Sequence, residues 1–367
     1  MWPTREQKII ISFLRCSLGY EPPWINADIL TGDLDWDEVR QIALYHGISH
    51  LMLDAIKRNS IVKVPSVITD VFEKEYLDNL VMHMLYERAL KEIVYNFNGK
   101  GIRFTVHKGL GLSALLYPEP ELRPCGTDLD ILVRKKDYEI VKEGLKEMGY
   151  RLLFSDYEQH EITYIGEVKF EKEIGGKKVV VDLHTDLVAN HWGKVTRFQM
   201  EGYWDNLLYV KCGDFLIPYL PVDVYLFFLC IHCAANHIFH RLITFCDLDL
   251  FIRKYIETIN WDYMEAYSGE SGSRKALYHS LNFCRRLFET PVPVRLMDTI
   301  RPGTLAILLV PENKLLFRCS KPPKILERYM HLVLLDNPFH IFRSIKIFLG
   351  RILHGLFIRR KTKSALG

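Results

Sequence analysis

The stretch that most limits what this chain can become is residues 104–133, FTVHKGLGLSALLYPEPELRPCGTDLDILV. It reads as strand, glycine turn, short helix, loop and second strand. On the second strand, Asp128 and Asp130 are separated by one apolar residue. Strand side chains alternate between faces, so both carboxylates point one way while Leu129, Ile131 and Val133 point the other, into a core. Two carboxylates side by side repel each other and resist burial. A divalent cation between them removes that penalty. Magnesium, or manganese in its place, suits the position because it takes oxygen ligands from carboxylates together with substrate phosphates.

A third carboxylate stands in VVVDLHTDL, residues 179–187. In an extended segment Asp182 and His184 share one face, with Val181 and Leu183 turned to the core. Lys108-Gly109 ends the first strand and opens the helix. A glycine there lets the backbone approach a phosphate closely, the N–H groups of the helix start point at it, and Lys108 adds positive charge. Phosphate cradle and metal ligands therefore fall at one end of one sheet. The pattern predicts a metal-dependent nucleotidyl-transfer site in which Asp128, Asp130 and Asp182 hold the metal and carry the chemistry. Asp182 is also the natural carboxylate to take the proton of an acceptor hydroxyl. His184 orients Asp182, meets the acceptor, or serves as a structural hydrogen-bonding group. Arg123, in the loop before the Asp pair, is read as a phosphate contact, against the plainer alternative of a solvated loop arginine.

The order KG, LYPEPELRPCGTDLDILV, VVVDLH, LCIHCAANHIFHRL and CDLDLF resembles the uncharacterised nucleotidyltransferase family of the polymerase-beta-like superfamily. The resemblance implies a small mixed sheet flanked by helices, Asp128 and Asp130 as paired metal ligands, Gly109 as the phosphate-turn glycine and Asp182 as the third carboxylate. It also places an arginine at Arg123, and a His…His…Arg-Leu pattern on residues 232–242, where His237 and Arg241 are expected to face nucleotide or acceptor. Leu110 departs from the superfamily, which carries Gly or Ser directly after the turn glycine.

The expected class is α+β, in four parts: a helical N-terminal lobe (1–100), the nucleotidyltransferase core (101–215), a helical C-terminal lobe (216–335) and a basic amphipathic tail (336–367). In the first lobe Asp35 caps a helix over 36–57, and a long helix between Pro65 and Gly99 has Val67, Val71, Leu77, Leu80, Met84, Leu90 and Ile93 in register. Residues 151–155, 162–174 and 176–187 read as strands, the last two joined by the Gly175-Gly176 turn. Residues 224–245 read as a buried helix pair, with His232, Asn236 and His240 four apart on one face. That stretch carries too many polar groups for a membrane span.

A net charge of only +3 gives no global field for nucleic acid, and 49% apolar residues are enough for a sizeable core. Eight scattered cysteines without framework spacing suit a reducing, cytoplasmic setting. The tail from Pro338 has no Asp or Glu. Packing on the body, peripheral membrane contact or an anionic partner all answer to that composition, and packing is the expected one. The sequence thus points to transfer of a nucleoside monophosphate from a nucleoside triphosphate such as ATP to a small-molecule, peptide or protein acceptor, with pyrophosphate leaving. Its rivals are a non-catalytic nucleotide- or partner-binding module and phosphoryl transfer to a peptide or protein.

Overall fold

The computed structural model describes residues 3–20, 34–58, 62–188, 192, 195, 201–347 and 349–350. The chain begins with helices α1 (Arg5–Ser17), α2 (Trp36–His46), α3 (Ser49–Arg58) and α4 (Ser66–Gly99). Asp35 caps α2 by accepting from the backbone N–H groups of Asp37 and Glu38, each at 3.0 Å. The single helix expected over 36–57 is two helices, because Gly47 takes a left-handed conformation (φ 67°) and ends α2.

Helix α4 starts and stops where Pro65 and Gly99 predict. Leu90 and Ile93 are buried as the register has them, but Val67, Leu77 and Met84 are exposed, and Ile68, Phe72, Tyr86 and Phe97 are buried. One apolar stripe does not serve, because α4 spans two cores. Ile68 and Phe72 join the core of the helical body, whereas Tyr86 to Phe97 lie against the sheet.

The chain continues as β1 (Phe104–Val106), α5 (Gly109–Leu116), β2 (Leu129–Val133), α6 (Tyr138–Glu147), β3 (Arg151–Leu152), α7 (Glu158–Tyr164), β4 (Glu167–Ile174) and β5 (Lys177–His184). Residues 162–164, expected in a strand, close α7. Gly166 at φ 87° then resets the chain, and the strand begins at Glu167. The sheet order is β1-β2-β5-β4-β3, with β2 and β5 parallel and the other neighbours antiparallel. One face is apolar: Ile131, Val133, Val181, Leu183 and Phe170 pack against α4 and α6. The other face is polar and carries the site.

The chain goes on through a hairpin of β6 (Leu208–Cys212) and β7 (Phe215–Tyr219), then α8 (Val222–Ala235), α9 (Leu242–Tyr255), α10 (Trp261–Ser271) and α11 (Arg274–Phe288). α8 and α9 are the expected buried pair. However, α8 stops at Ala235, so Asn236 and His240 do not extend its face. They lie in a turn in which Ile238 and Phe239 have positive φ (39° and 66°). The apolar core of α1–α3 runs without a break into that of α8, α9 and α11. Among the described residues no helix is long and apolar enough to cross a membrane.

Residues 338–347 of the tail are helical, and Ile341 and Ile347 pack on the body as expected. Residues 351–367, with most of the basic charge, lie outside the described residues.

Candidate active site

The site is a consequence of strand register. Asp130 on β2 stands opposite Asp182 on β5, and Asp182 stands opposite Lys169 on β4. One step along the same face, His184 stands opposite Glu167. Asp128 immediately precedes β2, on the face of Asp130. Each of Asp128, Asp130 and Asp182 offers a carboxylate oxygen within 4.8 Å of the other two. Three oxygen donors that close suit a hard divalent cation. Asp182 Oδ1 is buried without a hydrogen-bond partner among the described residues, so it is open to a further donor.

The carboxylates are neutralised unequally. Lys108 Nζ ion-pairs with Asp130 Oδ1, and His184 Nε2 donates to the same oxygen at 2.9 Å. Burial pushes the Asp130 carboxyl up, but Lys108 and the His184 hydrogen bond outweigh it and hold the group well below the usual carboxylate range. Asp128 has no such close partner. Burial and the neighbouring Asp130 and Asp182 charges raise it to about 7. Lys169 Nζ lies 2.6 Å from Asp182 Oδ2 and 3.6 Å from Asp128 Oδ2. His184 therefore orients Asp130, not Asp182 as the sequence suggested, and its Nδ1 faces Glu167 Oε2 at 3.6 Å.

Beside the carboxylates, Gly109 opens α5 at φ 47°. A Cβ there would sit 2.7 Å from the Cys125 carbonyl oxygen, so no other residue fits. Gly109→Ala is accordingly expected to cost at least about 2 kcal/mol in urea denaturation. A loss under about 0.5 kcal/mol would contradict so tight a contact. The loop leading to Asp128 is tied to α4 at two points: Asn79 Oδ1 accepts from the Cys125 N–H at 3.0 Å, and the Tyr86 hydroxyl donates to the Thr127 carbonyl at 2.5 Å.

Arg123 is held by protein partners. Its Nε and one terminal nitrogen grip both oxygens of Asp247 on α9 at 2.8 and 2.9 Å, and the other terminal nitrogen donates to the Gly109 and Pro124 carbonyls at 3.3 and 3.0 Å. The guanidinium is buried with its donors used, so it is a clamp between the glycine turn and the helical body. A bidentate acid on α9, distant in sequence, holds the group, which also lines the cavity beside the carboxylates.

Across from the carboxylates, His232, Asn236, His237 and Arg241 line the same cavity, which has a volume of about 470 Å³. His232 and His237 pack edge to face at 4.6 Å, and burial above all holds both imidazoles well below their usual range, so they are neutral. Arg241 has no ion pair among the described residues, and its buried Nε has no hydrogen-bond partner; the guanidinium lies 5.6 Å from the centre of the Tyr45 ring. Lys108, Gly109, Asp128, Asp130 and Asp182 line this cavity too.

Sequence reasoning missed Glu167, Lys169 and Gly47, all of which matter here. Glu167 and Gly47 line the cavity, and Arg241 comes within 3.2 Å of where a Gly47 side chain would begin.

The chain matches the family model described as an uncharacterised nucleotidyltransferase over residues 32–289, a span that holds the sheet, the three carboxylates, the glycine turn and both cavity walls. No curated protein matches it. With most of its length and its whole candidate site inside that match, the chain belongs to the uncharacterised nucleotidyltransferase family.

Proposed function

We propose that the protein transfers a nucleoside monophosphate from a nucleoside triphosphate to an acceptor, with pyrophosphate as leaving group, and that it needs magnesium or manganese to do so. The observation that carries the reading is the meeting of Asp128, Asp130 and Asp182 beside the Gly109 turn in one cavity. Asp128, Asp130 and Asp182 would hold the cation. When bound, it supplies positive charge to the oxygens of the transferred phosphate.

The chain's own groups account for the rest. The N–H groups that open α5 at Gly109 receive phosphate oxygens. Lys108 and His184 hold Asp130 ionised and fixed in place. Asp182 Oδ1, with no donor of its own, accepts the acceptor hydroxyl proton as the oxygen attacks the α-phosphorus and the bond to the β-phosphate oxygen breaks. Arg241, a cation at the far wall without an acidic partner among the described residues, offers a seat for an anionic part of nucleotide or acceptor. His237, neutral beside it, offers hydrogen bonds.

One observation favours a second reading. The carboxylates already carry lysine partners, as they would in a module that binds nucleotide or a partner without turnover. Calorimetry with each nucleoside triphosphate and magnesium, followed by assay of the released products, separates the readings. Pyrophosphate supports nucleotidyl transfer. Binding without release supports the module, and a nucleoside diphosphate supports phosphoryl transfer to a peptide or protein.

A further inference from the structure

We propose that Lys169 is a resident counter-ion that stands where a metal ion would join Asp182 to Asp128, and that loading the centre displaces it. This rests on the reading of the centre as a divalent-cation site. Lys169 is not placed there by chance of rotamer. The two-residue turn at Gly175-Gly176 pairs β4 with β5 so that Lys169 lies directly opposite Asp182. Its ammonium is 2.6 Å from Asp182 Oδ2 and 3.6 Å from Asp128 Oδ2, the two members of the trio that Lys108 does not reach.

A magnesium ion bonds carboxylate oxygen at about 2.1 Å. An ion on Asp182 Oδ2 and an ammonium at hydrogen-bond distance from the same oxygen would put two positive charges almost in contact, so the two exclude each other. The lysines differ in their freedom to yield. The Lys108 side chain is 18% exposed and bound to buried Asp130, whereas that of Lys169 is 41% exposed at the end of a flexible stem. Lys169 is the one that can swing into water. In the empty protein it offsets the repulsion between Asp128 and Asp182; in the loaded protein the cation takes over that task.

The test is manganese titration of the full chain followed by electron paramagnetic resonance, together with thermal melting with and without manganese. Lys169→Met is expected to bind manganese at least about tenfold more tightly than the parent, to melt lower without metal, and to gain more from metal than the parent does. Lys169→Arg keeps a cation at the position and is expected to stay near the parent in affinity. A Lys169→Met affinity within twofold of the parent, or weaker, overturns the proposal and leaves the cation site standing. If neither protein binds manganese, the cation site of the proposed function fails, and the displacement with it.

A second inference comes from a separate observation on the tail. In the helix over 338–347 and the residues just beyond it, Phe339, Phe342, Ile345 and Leu349 are exposed and fall on one stripe, while Ile341, Ser344 and Ile347 on the opposite side pack inward. The helix is therefore apolar on both sides, and its outer stripe has no cover among the described residues. Lys346 falls within that stripe and Arg343 at its edge, and the sequence from Asn337 to Gly367 contains no acid.

We infer that this face docks on an anionic lipid surface, with the apolar stripe at the acyl boundary and the basic groups among the headgroups. A second copy of the chain is a poorer occupant, since it would bring like charges together. The full chain is expected to co-sediment with phosphatidylcholine vesicles that contain phosphatidylserine, and not with phosphatidylcholine alone. Phe339→Ser with Phe342→Ser should weaken that binding at least about tenfold. Absence of co-sedimentation, or unchanged binding of the double variant, overturns the inference. So does a dimer that the same variant dissociates, which would assign the stripe to a second copy.

Discussion

Asp128→Asn is expected to lower pyrophosphate release by at least about three orders of magnitude while leaving the fold intact. Asp128 is the best single test of the centre because it is the member least committed to protein partners. Asp130 is ion-paired to Lys108 and bonded to His184, and Asp182 is bonded to Lys169. Asp130→Ala would leave the Lys108 ammonium buried without its partner, a loss on the order of 3–5 kcal/mol that would blur any kinetic result. Relief of like-charge repulsion by itself would make either Asp of the pair easy to replace. The structure restricts that to Asp128.

The raised Asp128 carboxyl gives the same variant a signature in stability. A carboxyl held at about 7 in the folded chain, above the usual value of about 4, binds a proton more tightly folded than unfolded. Its contribution is therefore present at low pH and lost as pH rises through about 7. Without metal, Asp128→Asn should thus match the parent at low pH and exceed it by about 2 kcal/mol at pH 8. Equal denaturation midpoints at both pH values would show that Asp128 does not bear the repulsion described.

Arg123→Ala is expected to cost about 3–5 kcal/mol. It removes both hydrogen bonds to Asp247 and leaves that carboxylate buried on α9, while the Gly109 carbonyl loses one of its donors. Asp247→Leu combined with Arg123→Met removes both charges and should recover much of the loss, because the penalty belongs to the orphaned partner. Urea denaturation of the two variants decides the matter. If Arg123→Ala costs under about 1 kcal/mol, the guanidinium is not the clamp described here.

Much of the centre was legible before any coordinates. Alternation on two strands put Asp128 with Asp130 and Asp182 with His184, and Lys108-Gly109 marked the turn. The hairpin held more than was taken from it. A two-residue turn pairs Ile174 with Lys177 and, counted back, Lys169 with Asp182, so Lys169 and Glu167 were within reach of sequence reasoning.

Other features were not. Nothing local in RPCG shows that Arg123 will meet Asp247, 124 residues away. The end of α8 before Asn236 depends on backbone strain at Ile238 and Phe239, two residues whose types do not favour positive φ. The face of α4 was read correctly at Leu90 and Ile93 but not at Val67, Leu77 and Met84, because one helix serves two cores and a single register cannot describe both.

The most direct measurement is anomalous diffraction from crystals grown with manganese and a non-hydrolysable nucleoside triphosphate. The expected result is a manganese peak bonded by Asp128, Asp130 and Asp182, with the phosphates against the Gly109 turn and the Lys169 ammonium withdrawn from Asp182. A triphosphate bound elsewhere, or bound at the turn with no metal on those three carboxylates, would contradict it.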